Sequence, residues 1–89
     1  MSTVFIAFQL NDATREIVDA IVDDNPGAVV EQQPAMVKVD VPSHMVIKRE
    51  SIAERLGRPF DLQELQVHLI TLSGNLDETD DEFSLSWAN

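Results

Sequence analysis

Residues 3–27, TVFIAFQLNDATREIVDAIVDDNPG, decide the class of fold. Val4, Ile6, Phe8 and Leu10 alternate along the first eight residues, and Phe5 and Ala7 fill the opposite phase. Both faces of such a strand want cover, which predicts a central strand or an interface strand. Asn11-Asp12 then offers a helix cap. Ala13, Ile17, Ala20 and Ile21 follow at helical spacing, and Asn25-Pro26-Gly27 ends the run, so an amphipathic helix is predicted over about 12–24.

Outward from this unit, residues 28–33 and 35–41 read as two strands joined near Pro34, the second alternating Val37, Val39 and Val41 with Lys38 and Asp40. That alternation predicts a half-buried antiparallel pair. Pro42-Ser43 breaks it, Met45-Val46-Ile47 makes a further short extended run, and Ser51 is expected to cap a brief helix closed by Gly57. Arg58-Pro59-Phe60 forms a connector. Asp61-Leu62-Gln63-Glu64 has the spacing of a capping box and predicts another short helix. Val67–Leu72 is rich in β-formers, Ser73-Gly74-Asn75 is a turn, and a last strand from Phe83 to Trp87 points Phe83, Leu85 and Trp87 one way. The order predicts an α+β fold in which two to three helices pack on a mostly antiparallel sheet.

With 89 residues and 44% hydrophobic content, the chain is sized for a single domain spanning 1–89. Its expected stability is about 4–13 kcal/mol, which leaves little for holding open a deep substrate cavity. There is no cysteine, which excludes disulfides, thiolate nucleophiles, iron–sulfur clusters and cysteine-bound zinc. Residues 1–10 carry no basic segment of the kind that opens a signal peptide, and no apolar run approaches the ~20 residues that span a bilayer. A soluble, cytoplasmic protein is expected.

Six basic against sixteen acidic residues give a net charge of −10. That charge repels phosphate backbones and anionic membranes and favours a basic protein surface, although acidity also serves plain solubility. Asp77, Glu78, Asp80, Asp81 and Glu82 form an acidic cluster, but a calcium loop begun at Asp77 needs Gly at its sixth place and Glu at its twelfth, where Glu82 and Ala88 stand. The cluster reads as a solvated loop facing a basic partner. His44 and His68 are the two imidazoles; His68 is placed mid-strand in a structural role and His44 in an exposed connector. Nucleophile elbow, phosphate loop and HExxH pair are all missing, as is the Asp-Ser-Leu of acyl carriers.

Two segments, EQQPAMVKVDVP (31–42) and LGRPFDLQELQVHLITLSGN (56–75), preceded by Asp23-Asp24-Asn25-Pro26, resemble the regulatory components of soluble diiron monooxygenases in the phenol hydroxylase branch. The resemblance covers nearly the whole chain and rests on the combination and order of the segments. It implies a protein without metal or organic cofactor that docks on the large subunit of a diiron hydroxylase, alongside an iron–sulfur flavoprotein reductase that takes electrons from NADH. The hydroxylase would convert phenol to catechol, and this chain would act allosterically. The related methane monooxygenase component has a long N-terminal tail, whereas here the first strand begins almost at once, so nothing of that tail's role carries over.

The docking surface is expected at the connector and turn flanking the sheet, on His44, Met45, Lys48, Arg49 and Asn75, where polar and adaptable residues border apolar strands. Two rival classes remain open at this stage. One is an acidic protein that mimics DNA and occupies a basic site; the other is a small isomerase using His68 or a carboxylate as base.

Overall fold

The computed structural model describes residues 3–87. The order of elements is β1 (Thr3–Gln9), α1 (Asp12–Asp24), β2 (Val29–Gln33), β3 (Met36–Pro42), β4 (His44–Lys48), α2 (Arg49–Leu56), α3 (Glu64–His68), β5 (Leu69–Ser73), β6 (Asn75–Glu78) and β7 (Glu82–Ser86). The strands form two sheets, β2-β3-β1-β5 and β4-β7-β6, and every pairing is antiparallel. The α+β class and the antiparallel pairing are as the sequence predicts, with two sheets in place of one.

β1 lies inside its sheet, between β3 and β5, as its two apolar faces require. Val4, Ile6 and Phe8 are fully buried on the inner face; Ala7 is buried on the other, where Phe5 is half-covered by the Lys38 ammonium 4.5 Å from its ring. α1 starts at a reciprocal cap. Asn11 Oδ1 accepts from Thr14 N (3.0 Å), Asn11 N donates to Thr14 Oγ1 (2.9 Å), and Thr14 Oγ1 donates to the Gln9 carbonyl (2.7 Å). Such caps contribute about 1 kcal/mol each. Ile17, Val18, Ala20 and Ile21 bury the inner stripe of the helix in a core shared with Val37, Val39 and Val41 of β3, Met45 and Ile47 of β4, and Phe83 and Leu85 of β7.

The two sheets are joined at two tight places. Ser43 adopts φ 67° between β3 and β4, and Gly74 adopts φ 125° between β5 and β6. At Gly74 a Cβ would stand 2.9 Å from Val4 Cγ1 and 3.5 Å from Leu85 Cβ, so only glycine lets the sheets approach there.

Four local expectations are corrected. The helix containing Ser51 begins at Arg49 and not behind a Ser51 cap, because β4 runs straight into it; Lys48 takes the cap position without a side-chain bond, and Arg49 N donates to the Asp81 carbonyl (2.9 Å) instead. Val67 and His68 are helical, since Leu62 and Leu65 are drawn into the core three residues apart and wind this stretch against its β propensity. Residues 75–78, read as turn and solvated loop, form strand β6 on β7. Trp87 follows β7, 43% exposed, and its indole N–H donates to the Thr3 carbonyl (3.0 Å), whereas Phe83 and Leu85 are buried.

Candidate partner-binding surface

The strand register brings together most of the predicted docking residues. His44 of β4 and Asn75 of β6 are both paired with Ser86 of β7, so the three side chains form one row across the three-stranded sheet. Directly opposed residues share a face, and strands lie about 4.8 Å apart, which sets His44 and Asn75 roughly 10 Å from one another with only a serine between. The next row is Val46, Ser84 and Asp77; the last pairs Lys48 with Glu82. This is the outer face, since the alternate residues Met45, Ile47, Phe83 and Leu85 point into the core. Ser84 and Ser86 put only short side chains between the outer strands.

Met45 is the exception among the predicted residues. It is fully buried, because neighbours along a strand point to opposite faces and His44 already takes the outer one. Lys48 is exposed with no ion-pair partner among the described residues. Arg49 is half-exposed but tied to Asp81 (2.7 Å) at the turn that precedes β7.

That pairing recurs. Lys38 is bound to Asp40 (3.5 Å), Arg55 to Asp23 and, at 4.0 Å, to Asp19, and Arg58 to Glu64 (3.3 Å). Among the described residues, four of the six cations are thereby turned onto the protein's own carboxylates, leaving Arg15 and Lys48. Five of the sixteen carboxylates are so engaged, which leaves eleven without a cation partner among the described residues. A partner thus meets a surface more uniformly anionic than composition implies.

Among the described residues, neither imidazole is paired with a carboxylate. His68 ends α3 with its Nδ1 3.2 Å from Asn11 Nδ2, a helix-capping amide and not a carboxylate. An open cleft of about 490 Å³ is lined by Arg49, Phe60, Asp61, Glu64 and Asp80. Its Glu64 accepts a hydrogen bond from Asp61 N (3.2 Å) and one from Arg58, and these hold its carboxyl below the ordinary 4.5, the wrong direction for a general base at neutral pH. Among the described residues no three His, Asp or Glu side chains converge to hold a metal ion, and no helix is long and apolar enough to cross a membrane.

Comparison with known proteins decides between the classes that this geometry leaves. The model of the MmoB/DmpM family matches residues 2–86. The chain belongs to the MmoB/DmpM family. It is 50% identical over 88 residues, 99% of this chain and 98% of the relative, to the phenol 2-monooxygenase stimulatory component DmpM of Pseudomonas sp. strain CF600. A more distant relative, the effector subunit of the alkene monooxygenase system of Xanthobacter autotrophicus, is 27% identical over 73 residues, 80% of this chain and 72% of that protein. Among solved structures, a chain in a phenol hydroxylase–regulatory protein complex matches with TM-score 0.93 and 44% identity, covering 98% of this chain and all of that one. The soluble methane monooxygenase regulatory protein B shares the fold at TM-score 0.76, with 18% identity over 97% of this chain and 65% of its own length. Membership in the MmoB/DmpM family removes the DNA-mimic and isomerase readings.

Proposed function

We propose that this protein is the regulatory component of a multicomponent phenol hydroxylase, a non-catalytic subunit that binds the diiron hydroxylase and stimulates turnover. The observation that carries the reading is the 50% identity to a phenol 2-monooxygenase stimulatory component over 99% of the chain. In this reading the hydroxylase performs the NADH- and O2-dependent conversion of phenols to catechols, electrons arrive through an iron–sulfur flavoprotein reductase, and all components work in the cytoplasm.

The regulator acts by differential binding. A ligand with equal affinity for two conformations shifts neither, so its contacts must favour one hydroxylase state, altering substrate access, diiron geometry or the timing of oxygen activation. Docking uses the outer face of the three-stranded sheet, with His44 and Asn75 flanking Ser86, Lys48 at the far end of β4 and Arg49 beside it. Support comes from the in-register exposure of His44 and Asn75 on one face of the sheet. Met45 contributes from beneath, by holding β4 in the core.

The test is reconstitution. Phenol hydroxylation by purified hydroxylase and reductase is measured with increasing amounts of this protein. Saturable stimulation near one regulator per hydroxylase active site is expected; rates independent of the added protein would refute the assignment.

A further inference from the structure

The four outer edges of the two sheets are treated unequally. The free side of β4 is occupied by the Asn25 side chain, which bonds both polar groups of Val46. β6 has four residues and carries Asp77 and Glu78. β5 pairs with β1 through a register shift between Ala7 and Phe8. Short length, charge, bulges and cover are the usual means of blunting an edge. β2 is the least protected: its five residues, Val-Val-Glu-Gln-Gln, are all exposed and run in unbroken register with β3, with Glu31 as their one charge and neither Lys nor Pro.

The direction of its free polar groups follows from the ladder. Leu10 N donates to the Ala35 carbonyl (3.2 Å), and hydrogen-bonded positions alternate in an antiparallel pair, so Val37 turns its N–H and C=O towards β1. Gln32 is the partner of Val37 on β2 and therefore points its own N–H and C=O the other way, to the open edge; Val30, two residues on, does the same. Beside this edge, α1 and β2 leave a cleft of about 200 Å³ whose apolar lining is Leu10, Val18, Val30 and Val37, joined by Arg15, Asp19 and Gln32. Main-chain bonds along an edge together with a pocket for alternate side chains are the two components of strand addition.

We propose that β2 is a strand-addition site whose occupant is an extended segment of the hydroxylase, with an apolar side chain seated in the α1–β2 cleft and a basic one facing Glu31. The proposal rests on the regulatory reading above. Charge selects the occupant: a second copy added antiparallel through Val30 and Gln32 sets Glu31 against Glu31, on chains that each carry −10, whereas a basic segment is attracted.

Residue-resolved hydrogen exchange of this protein, free and bound to hydroxylase, tests it. In the free protein Val30 and Gln32 exchange fast while Val29, Glu31 and Gln33 are held by β3; in the complex exchange at Val30 and Gln32 slows by about tenfold or more. Gln32→Pro removes one outward N–H and leaves the β3 bonds in place, and it lowers hydroxylase affinity by about tenfold. Should that variant not fold, Val30→Lys, which closes the cleft at a 44% exposed position, gives the same loss. Unchanged exchange at both amides within a complex that forms overturns strand addition and leaves the regulatory reading standing. Failure of the wild-type protein to bind hydroxylase overturns both. Protection that rises with the concentration of this protein alone makes a second copy the occupant and overturns the proposal.

Discussion

The side chain of Asn25 and the backbone of Val46 form a closed two-bond ring: Asn25 Oδ1 accepts from Val46 N at 2.8 Å, and Asn25 Nδ2 donates to the Val46 carbonyl at 2.7 Å and to the Ile21 carbonyl at 2.7 Å. A carboxamide sets an N–H donor beside a C=O acceptor, as a neighbouring strand does, and its second N–H goes to Ile21, so the end of α1 completes the β4 edge as another strand would. Asn25 is only 6% exposed, and water cannot readily replace it. Asn25→Ala leaves buried backbone groups unpaired, at about 1–3 kcal/mol for each, and should lower stability by about 3 kcal/mol, or roughly 12–24 °C in Tm. Thermal and urea unfolding measure this; a loss below about 1 kcal/mol would show that the ring is dispensable.

Gly74→Ala should cost about 2–3 kcal/mol, from a backbone conformation disfavoured for L-residues and a methyl group pressed on Val4. Pairing it with Val4→Ala makes room for the methyl and should recover part of the loss. A double mutant with strictly additive costs would contradict the contact.

Ser43→Gly should be neutral or stabilising, by up to about 1 kcal/mol, although it removes a side chain. The exposed Ser43 sits at φ 67°, where glycine is unstrained, and glycine's greater freedom in the unfolded chain partly offsets the gain. Equilibrium urea denaturation of the two proteins decides the sign.

Acid unfolding should report Glu64. Its carboxyl lies lower in the folded chain than the ordinary 4.5, chiefly through the Asp61 N–H and then through Arg58. Folding therefore favours the ionised form: the contribution is complete above the unfolded value and disappears as pH falls through the lowered folded one. The group is largely solvated, so the effect is small. Glu64→Gln should lower stability slightly at neutral pH and flatten the acid limb, so that the two proteins converge as pH falls below 4.5.

Docking through the outer face of the three-stranded sheet predicts that His44→Ala and Asn75→Ala each weaken hydroxylase binding with no change in Tm, whereas Met45→Ala lowers stability by the amount typical of a buried methionine, about 2–5 kcal/mol, and Tm with it. Calorimetric titration and thermal melts separate the two outcomes. Association should also slow as ionic strength rises, because a chain of net charge −10 is attracted to a basic surface over a screened distance.

Where sequence and structure agree, the responsible residues act locally. Asn11 caps α1, Ile17 and Ile21 mark its buried stripe, Val37, Val39 and Val41 alternate on β3, and Gly57 closes α2 in the left-handed conformation, all from neighbours within a few positions. Where they diverge, a distant partner decides. Asn75–Glu78 becomes a strand because Glu82–Ser86 lies across a turn closed by Thr79 N to the Glu82 carbonyl (2.8 Å), and Val67 becomes helical because Leu65 is claimed by the core. The proposed surface divides in the same way: His44 and Asn75 stand out in the sequence as polar residues beside apolar strands, but their alignment on Ser86 is a property of register. Met45 shows the reverse error, since its softness suits both an interface and a core and only the strand's alternation assigns it to the core.

The topology also governs the order in which the protein can form. β1 at residues 3–9 finds its second neighbour in β5 at 69–73, His44–Lys48 waits for Glu82–Ser86, and the Trp87 indole closes on Thr3 across 84 positions. An emerging chain that has completed α1 and the β2-β3 hairpin still lacks Phe83 and Leu85, the residues of β7 paired with Ile47 and Met45. Loop closure over such separations comes before any reward from the contacts, so folding belongs to the millisecond-or-slower range and not to that of small helical bundles. A nascent protein of this kind spends most of its synthesis with an open hydrophobic surface, and its acidity, repelling like chains, protects it during that interval.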